Sequence, residues 1–388
     1  ARARRGGKLP LRDLLADAIR HAREGLPVSP SQTRHQPQIE APGFAQTFLN
    51  AKGEWRAEGE LQRFPKLADT LDHLAHQGLR DFYEGDVARE MAHDLEQIGS
   101  PLRREDFKRH EAKLREPLAL KLKGRTHYNF PPPTQGLASL LILGMFERLN
   151  ITRCDSADHV HALVEATKRA FALRDQLCTD PAFATREAEQ ALQERVIERE
   201  AAVIDMSRAA THPLPHAKGD TIWMGAMDAQ GTAVSYIQSI YWEYGSGCVL
   251  PRTGVLMQNR GISFSLDPRA VNTLEPRRKP FHTLNPALCA FEDGRVMSYG
   301  TMGGDGQPQV QAQLFTRYHF GMDLTEALNM PRFIYGRLWG DHSTHLALEE
   351  GFDPSVIREL GKRGHEIVER ARGDSFGHAG ALVRNQKG

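Results

Sequence analysis

Apolar residues recur every three or four positions along the first half of the chain, and that spacing predicts a run of helices. Leu11, Leu14, Leu15, Ala18, Ile19 and Ala22 share one helical face, and Gly25 with Pro27 closes the helix. Further helices are expected at 67–78, 87–98, 137–149, 159–177 and 185–204, the third fed by the turn Pro131-Pro132-Pro133-Thr134-Gln135-Gly136. Near residue 205 the texture changes. Residues 207–220 hold two prolines and little to bury, so they read as an exposed linker. Beyond it, strands at 221–227 and 232–240 flank Asp228-Ala229-Gln230-Gly231, a hairpin signature. A second hairpin is expected from 287–291 and 295–299 around Glu292-Asp293-Gly294. Helices follow at 309–318, 324–329 and 354–363. The strand at 379–384 reads as the first arm of a hairpin whose second arm is absent.

With 388 residues the chain can bury a sizeable core, and 40% hydrophobic with 26% charged residues is ordinary globular composition. A net charge of +1 gives no field to draw nucleic acid or anionic lipid, so neither partner is expected. Arg2, Arg4, Arg5 and Lys8 are interrupted by Gly6-Gly7 with no apolar signal core after them, which fits a solvated helix end. The apolar run 137–146 falls short of the roughly 20 residues that span a bilayer. Cys154, Cys178, Cys248 and Cys289 form no C-x-x-C pair, which argues against a disulfide framework or thiolate metal site and favours a reducing, cytoplasmic compartment. The chain opens without an initiator Met, so an upstream leader, and with it a periplasmic or secreted location, stays open.

The linker ends in Gly219-Asp220, and the strand after it begins with Thr221. Cleavage of the 220–221 bond would give Thr221 a hydroxyl and a free α-amine, the amine serving as base for the hydroxyl. A free α-amine ordinarily titrates at about 8, suited to general-base work near neutrality. Threonine opening a strand is common, however, and this arrangement alone does not single out a nucleophile.

More ordered segments bear on it. Gly219-Asp220-Thr221 through Ser235, Gly245-Ser246-Gly247 with Pro251-Arg252-Thr253-Gly254, Lys279 to Pro286, and Gly300-Thr301-Met302-Gly303-Gly304 follow one another as in the small subunit of the γ-glutamyltransferase family. Upstream, Ala22 to Ser29, Phe82-Tyr83-Glu84-Gly85 and the Pro131 turn resemble its large subunit. The resemblance covers essentially the whole chain. It implies an α+β fold, the four-layer αββα sandwich of the N-terminal-nucleophile hydrolases with a helix-rich large-subunit part. It further implies autocleavage between Asp220 and Thr221. Residues 1–220 would be the large-subunit portion, ending in the processing linker 205–220, and 221–388 the small-subunit portion. The two would form a heterodimer within one αββα domain, and a dimer of such heterodimers stays open. The family's first segment and final hairpin are expected to be missing.

By the same resemblance Gly303 and Gly304 form the oxyanion hole, and Ser239 is the hydroxyl residue supporting the nucleophile. Two backbone N–H donors held by glycines fit that task. The sequence departs from glutathione-cleaving members at the recognition positions. Tyr241 stands for an Asn, Ser263 for the Asp that grips the α-ammonium, His282-Thr283 for a Ser-Ser pair, and Arg260 for a Gln. An α-ammonium without an acidic partner is costly in a desolvated site. An Arg instead offers a fork matched to carboxylate. The pocket therefore suits a small anionic amide lacking an amine.

Gln238 to Tyr241, Gln258 to Gly261 and Met302 to Pro308 resemble the oxamate amidohydrolase branch, which serves urate catabolism and turns oxamate into oxalate and ammonia. The expected substrate is oxamate or a similar small amide, with no cofactor and no metal. The rival readings are a γ-glutamyl hydrolase or transferase acting on glutathione-like compounds, and a non-enzymatic scaffold. Asp341-His342-Ser343-Thr344-His345 has H-x-x-H spacing but no H-E-x-x-H, and is read as a polar loop. His73 and His76 are read as surface helix residues.

Overall fold

The helical periodicity is realised in α1 (Leu11–Glu24), α2 (Pro65–Gln77), α3 (Asp86–Gln97), α4 (Gly136–Arg148) and α5 (Ala157–Leu177). In α1 the chain stops where the spacing predicted: Gly25 adopts φ 103° and returns its N–H to His21 O. The computed structural model describes residues 7–211, 220–336, 345–373 and 376–385. Arg2, Arg4, Arg5, linker residues 212–219 and loop residues 341–344 lie outside them. Among the described residues no helix is long and apolar enough to cross a membrane.

The chain divides into two units, residues 1–114 with 244–259, and residues 115–243 with 260–388. Each unit thus draws on both sides of residue 220. In the first, α1 packs on α2, and α3 turns Val87, Met91 and Leu95 toward Leu74 and Leu250. Phe44, Phe48, Trp55 and Tyr244 make an aromatic cluster, Phe44 meeting Tyr244 edge-on at 5.4 Å. Thr70 Oγ donates to Thr253 O at 2.7 Å, and Arg252 pairs with Glu90 at 2.8 Å.

The second unit is built on a five-stranded antiparallel sheet. Its strands are β1 (Leu118–Leu122), β2 (Arg125–Asn129), β5 (Ala287–Phe291), β6 (Val296–Thr301) and β10 (Ala379–Arg384), in the order β10-β6-β5-β2-β1. The β1–β2 hairpin corrects the expectation of a purely helical first half. Its residues alternate with period two, the strand signature, buried with exposed in β1 and buried with half-buried in β2, around a turn at Gly124. The helix expected over 185–204 is also shorter. Gln193 is extended and separates a 3-10 turn, Ala188–Leu192, from an α-helix, Glu194–Ala202.

Alternation along β6 sets the layers. Met297 and Tyr299 point into the core with Phe315 of α6 (Gly306–His319), where α4 and α5 also pack. The all-round apolar run of α4 is buried throughout. Ser298 and Gly300 face the other way, toward a second β layer, the hairpin of β3 (Asp220–Met227) and β4 (Ala233–Tyr241). Trp223 of β3 lies on Gly300 and Gly380, which are cross-strand partners. A Cβ on Gly300 would come within 2.1 Å of the indole, and one on Gly380 within 2.5 Å. The indole N–H donates to Ser235 Oγ at 2.9 Å. Two glycines thus form the bed on which the hairpin rests.

Three short strands that the periodicity did not mark, β7 (Phe333–Tyr335), β8 (Leu346–Glu349) and β9 (Ile367–Arg370), form a separate sheet in the order β9-β8-β7.

Candidate active site

Thr221 is the second residue of β3 and is buried, 7% exposed. It lies where the hairpin register breaks. Asp220 pairs with Tyr241 and Ile222 with Gln238, so Ser239 and Ile240 together oppose Thr221. A bulge of this kind re-aims side chains and is frequent beside active sites. Ser239 Oγ accepts the Tyr241 backbone N–H at 2.8 Å, holding the bulge, and Tyr241 takes φ 84°.

After β6 the chain turns through Gly303 and Gly304 into α6. Their φ values, 112° and 54°, lie in the left-handed region that a side chain resists. Gly306 N donates to Gly303 O at 2.8 Å, and Gln307 N to Gly304 O at 3.2 Å. Among the described residues the N–H groups of Gly303 and Gly304 themselves make no turn or loop hydrogen bond. The helix N-terminus behind them adds its positive end.

Gln307 Nε2 donates to Thr221 Oγ1 at 3.4 Å, which joins the threonine to this turn. Gln135, fully buried, donates from one nitrogen to Gly304 O at 2.8 Å and Thr283 O at 2.7 Å. Its carbonyl accepts from Arg174 Nη1 at 3.0 Å, and the same nitrogen pairs with Asp305 Oδ1 at 2.7 Å. Thr283 Oγ1 in turn accepts from Arg260 Nη1 at 3.1 Å.

Arg260 is 2% exposed, in a single 3-10 turn running to Ser263. Its Cζ stands 4.1 Å from the centre of the Tyr241 ring. Burial pushes the guanidinium down to about 10, still charged at neutral pH. Burial likewise raises the Tyr241 phenol, whose side chain hydrogen-bonds Ser263. His282 is pushed down to about 3, first by burial and then by Arg260 and Lys279, so its ring is neutral. Its backbone N–H is tied to Pro133 O at 2.8 Å. The contacts close a circuit: Thr221, Gln307, Gly304, Gln135, Thr283, Arg260, Tyr241 and, across the hairpin, Asp220.

The expected residues therefore converge, Ser239, Ser263 and His282 lying against members of that circuit. Sequence reasoning missed Gln135, Arg174 and Gln307. The two amides sit inside motifs already singled out, but an amide offers no acid–base chemistry to mark it. Arg174 falls on the helical stripe of α5, where it reads as surface charge.

Among the described residues two other clusters have metal-ligand residue types, Cys154 with Asp155 and His159, and His161 with Glu165 and His365. Arg317 already binds Asp155 at 2.9 Å and Lys168 binds Glu165 at 2.7 Å. Burial also holds the Cys154 thiol up, at about 12. Both clusters fit internal ion pairing better than a cation. At the loop set aside earlier, His345 contacts Glu366 at 3.0 Å, and His73 meets Asp81 at 3.2 Å.

A buried threonine at the head of a strand, in paired β layers backed by helices, is the architecture of the N-terminal-nucleophile hydrolases. The cephalosporin acylase of Bacillus halodurans shares it, with TM-score 0.87 and 30% identity over 98% of this chain and 71% of that one. The chain belongs to the γ-glutamyltranspeptidase family, whose model matches residues 2–388. It is 47% identical to the oxamate amidohydrolase proenzyme of Klebsiella pneumoniae, over 99% of this chain and 74% of that protein. It is 36% identical to the glutathione hydrolase-like YwrD proenzyme of Bacillus subtilis, over 98% and 74%. The protein is thus an N-terminal-nucleophile amidohydrolase.

Proposed function

We propose that the protein cleaves itself before Thr221 and then hydrolyses a small carboxylate-bearing amide, oxamate fitting best. The observation that carries this reading is the buried Arg260, braced by Thr283 and Tyr241 on the same contact circuit as Thr221. A desolvated guanidinium is a strong site for a carboxylate directly joined to the reacting carbonyl. His282, neutral beside it, adds no competing charge. Ser263 leaves no carboxylate at the position that would receive an α-ammonium.

In the precursor, Thr221 Oγ attacks the Asp220 carbonyl, the acyl group shifts from nitrogen to oxygen, and water releases the ester. In the mature enzyme the freed α-amine takes the hydroxyl proton as Oγ bonds to the amide carbon. The N–H groups of Gly303 and Gly304 hold the oxyanion. The C–N bond then breaks, the nitrogen takes the proton and leaves as ammonia, and water, deprotonated by the same amine, hydrolyses the acyl-threonine. Arg260 and Thr283 fix the carboxylate and so aim the carbonyl. The two pieces would stay together as a heterodimer, because β2 from before the cut is hydrogen-bonded to β5 from after it.

The test is oxalate and ammonia release from oxamate, run beside a γ-glutamyl anilide, with intact mass for the wild type and Thr221→Ala. Two pieces and oxamate turnover for the wild type, one piece and none for the variant, are expected. Faster turnover of the γ-glutamyl substrate would move the protein to the glutathione-type reading. Two pieces from Thr221→Ala would refute cleavage by this hydroxyl.

A further inference from the structure

Helix α6 carries four buried glutamines, at 307, 309, 311 and 313. Three are satisfied at both ends of the amide. Gln309 gives to Tyr335 O at 3.0 Å and accepts from Tyr335 N at 2.8 Å. Gln311 gives to Asn285 O at 2.6 Å and accepts from Ser139 Oγ at 3.0 Å. Gln313 gives to Phe333 O at 2.6 Å and accepts from Phe333 N at 3.1 Å. Gln307 breaks the pattern. Its nitrogen gives to Thr221 Oγ1, but its Oε1, wholly shielded from solvent, has no hydrogen-bond partner among the described residues. A buried carbonyl without a donor is costly, and a fold that satisfies three such amides leaves the fourth open beside the nucleophile.

The orientation of that amide follows from the chemistry. Thr221 must surrender its hydroxyl proton to the α-amine, so Oγ needs a donor from Gln307, not an acceptor. Nε2 therefore faces Oγ, and Oε1, at the other end of the same amide, is left for a donor that arrives with the substrate at Thr221. The residue is also tied to the oxyanion turn through its backbone N–H on Gly304 O. Donor glycines, nucleophile and this carbonyl are consequently one rigid piece.

We propose that Gln307 reads the leaving group: its Oε1 accepts an N–H of the substrate's amide nitrogen, which makes the site selective for unsubstituted primary amides. The inference rests on the acyl-transfer role of Thr221 given above. As Oγ bonds to the carbonyl carbon, the nitrogen becomes tetrahedral and takes the proton carried by the α-amine. It then departs as ammonia when the C–N bond breaks. Its N–H groups grow more acidic along that path, so the bond to Oε1 strengthens toward the transition state. A primary amide can give one N–H to Oε1 and keep another free. An N-alkyl amide has one fewer, and its alkyl group takes space that the carbonyl requires.

The experiment compares kcat/KM for oxamate and N-methyloxamate in the wild type, Gln307→Leu and Gln307→Glu, with intact mass as the readout of self-cleavage. The wild type is expected to prefer oxamate by about 100-fold or more, since N-methylation removes one of the two N–H groups and puts a methyl, which Oε1 cannot bind, into the space the hydrogen bond needs. Gln307→Leu should slow oxamate by roughly 10- to 100-fold and bring the ratio of the two amides to within a few-fold of one. Gln307→Glu keeps an acceptor and should keep the preference while lowering kcat for both. Equal wild-type rates for the two amides, or a Gln307→Leu variant that slows both by the same factor, would overturn the inference. If that variant does not mature, the wild-type comparison and Gln307→Glu still decide. Failure of the wild type on oxamate would refute the proposed substrate instead. The same ratio is then read with glutamine and its N5-methyl amide, where equal rates overturn the role of Gln307.

Discussion

The guanidinium of Arg260 lies 4.1 Å above the Tyr241 ring, and the backbone of that tyrosine is the hairpin partner of Asp220. The strand opposite the expected cut therefore carries the ring that braces the cation expected to hold substrate. A desolvated cation over an aromatic face gains about 2 kcal/mol, which helps to keep a buried charge in place.

Replacing Arg260 by Gln should raise the KM for oxamate by roughly 100-fold or more, the scale of a lost charge-assisted pair. Self-cleavage should continue, since the proposed step uses the Thr221 hydroxyl, the Asp220 carbonyl and the glycine turn, and not the cation. Lysine should not restore binding, because an ammonium cannot present two parallel donors. Steady-state kinetics with intact mass checks this, and an unchanged KM would remove Arg260 from the carboxylate site.

Gln135→Leu deprives the Gly304 and Thr283 carbonyls of their shared donor and leaves one Arg174 bond unmade. Each buried group so stranded costs about 1–3 kcal/mol. The variant should lose stability in urea and lose kcat more than KM, as the oxyanion turn loosens. A kcat equal to that of the wild type would show that the glycine turn holds itself.

Gly300→Val places methyl groups where the Trp223 ring rests. Overpacking of this kind costs about 1–3 kcal/mol. Because Thr221 is two residues from Trp223 on the same strand, the cleavage rate should fall as well. Thr221 processing at the wild-type rate, followed by intact mass over time, would uncouple the hairpin's bed from its chemistry.

Burial holds His127 at about 3 and His159 at about 4, below the ordinary 6.5. The unfolded chain therefore takes up protons below pH 6.5 that the folded chain refuses. Their contribution to stability is whole above that pH and is lost as pH falls toward 4 and then 3. The slope is at most about 1.4 kcal/mol per pH unit for each histidine. Urea midpoints should drop between pH 6.5 and 4, and His159→Gln should flatten that fall. An equal slope in the variant would place the acid sensitivity elsewhere.

The helices were legible because one-sided apolar spacing over ten or more residues has few other solutions. The β3–β4 hairpin was legible from its Asp-Ala-Gln-Gly turn. The hairpin at 118–129 was overlooked although Leu118, Leu120 and Leu122 alternate, because the helical runs on either side dominate the pattern. Strands of three or four residues at 333–335, 346–349 and 367–370 carry too few positions to show a period, and their pairing partners are distant in sequence.

The order of motifs by itself determined the family, the candidate nucleophile, the glycine pair and the cation, since each depends on residue type at a position. Only the folded structure decided that Gly300 and Gly380 would make a bed for Trp223, and that a register slip would set two residues against Thr221. It also decided which of four like glutamines faces the nucleophile with its carbonyl unanswered. Such facts depend on which side chains meet across distant segments, and packing is a property of the whole chain at once.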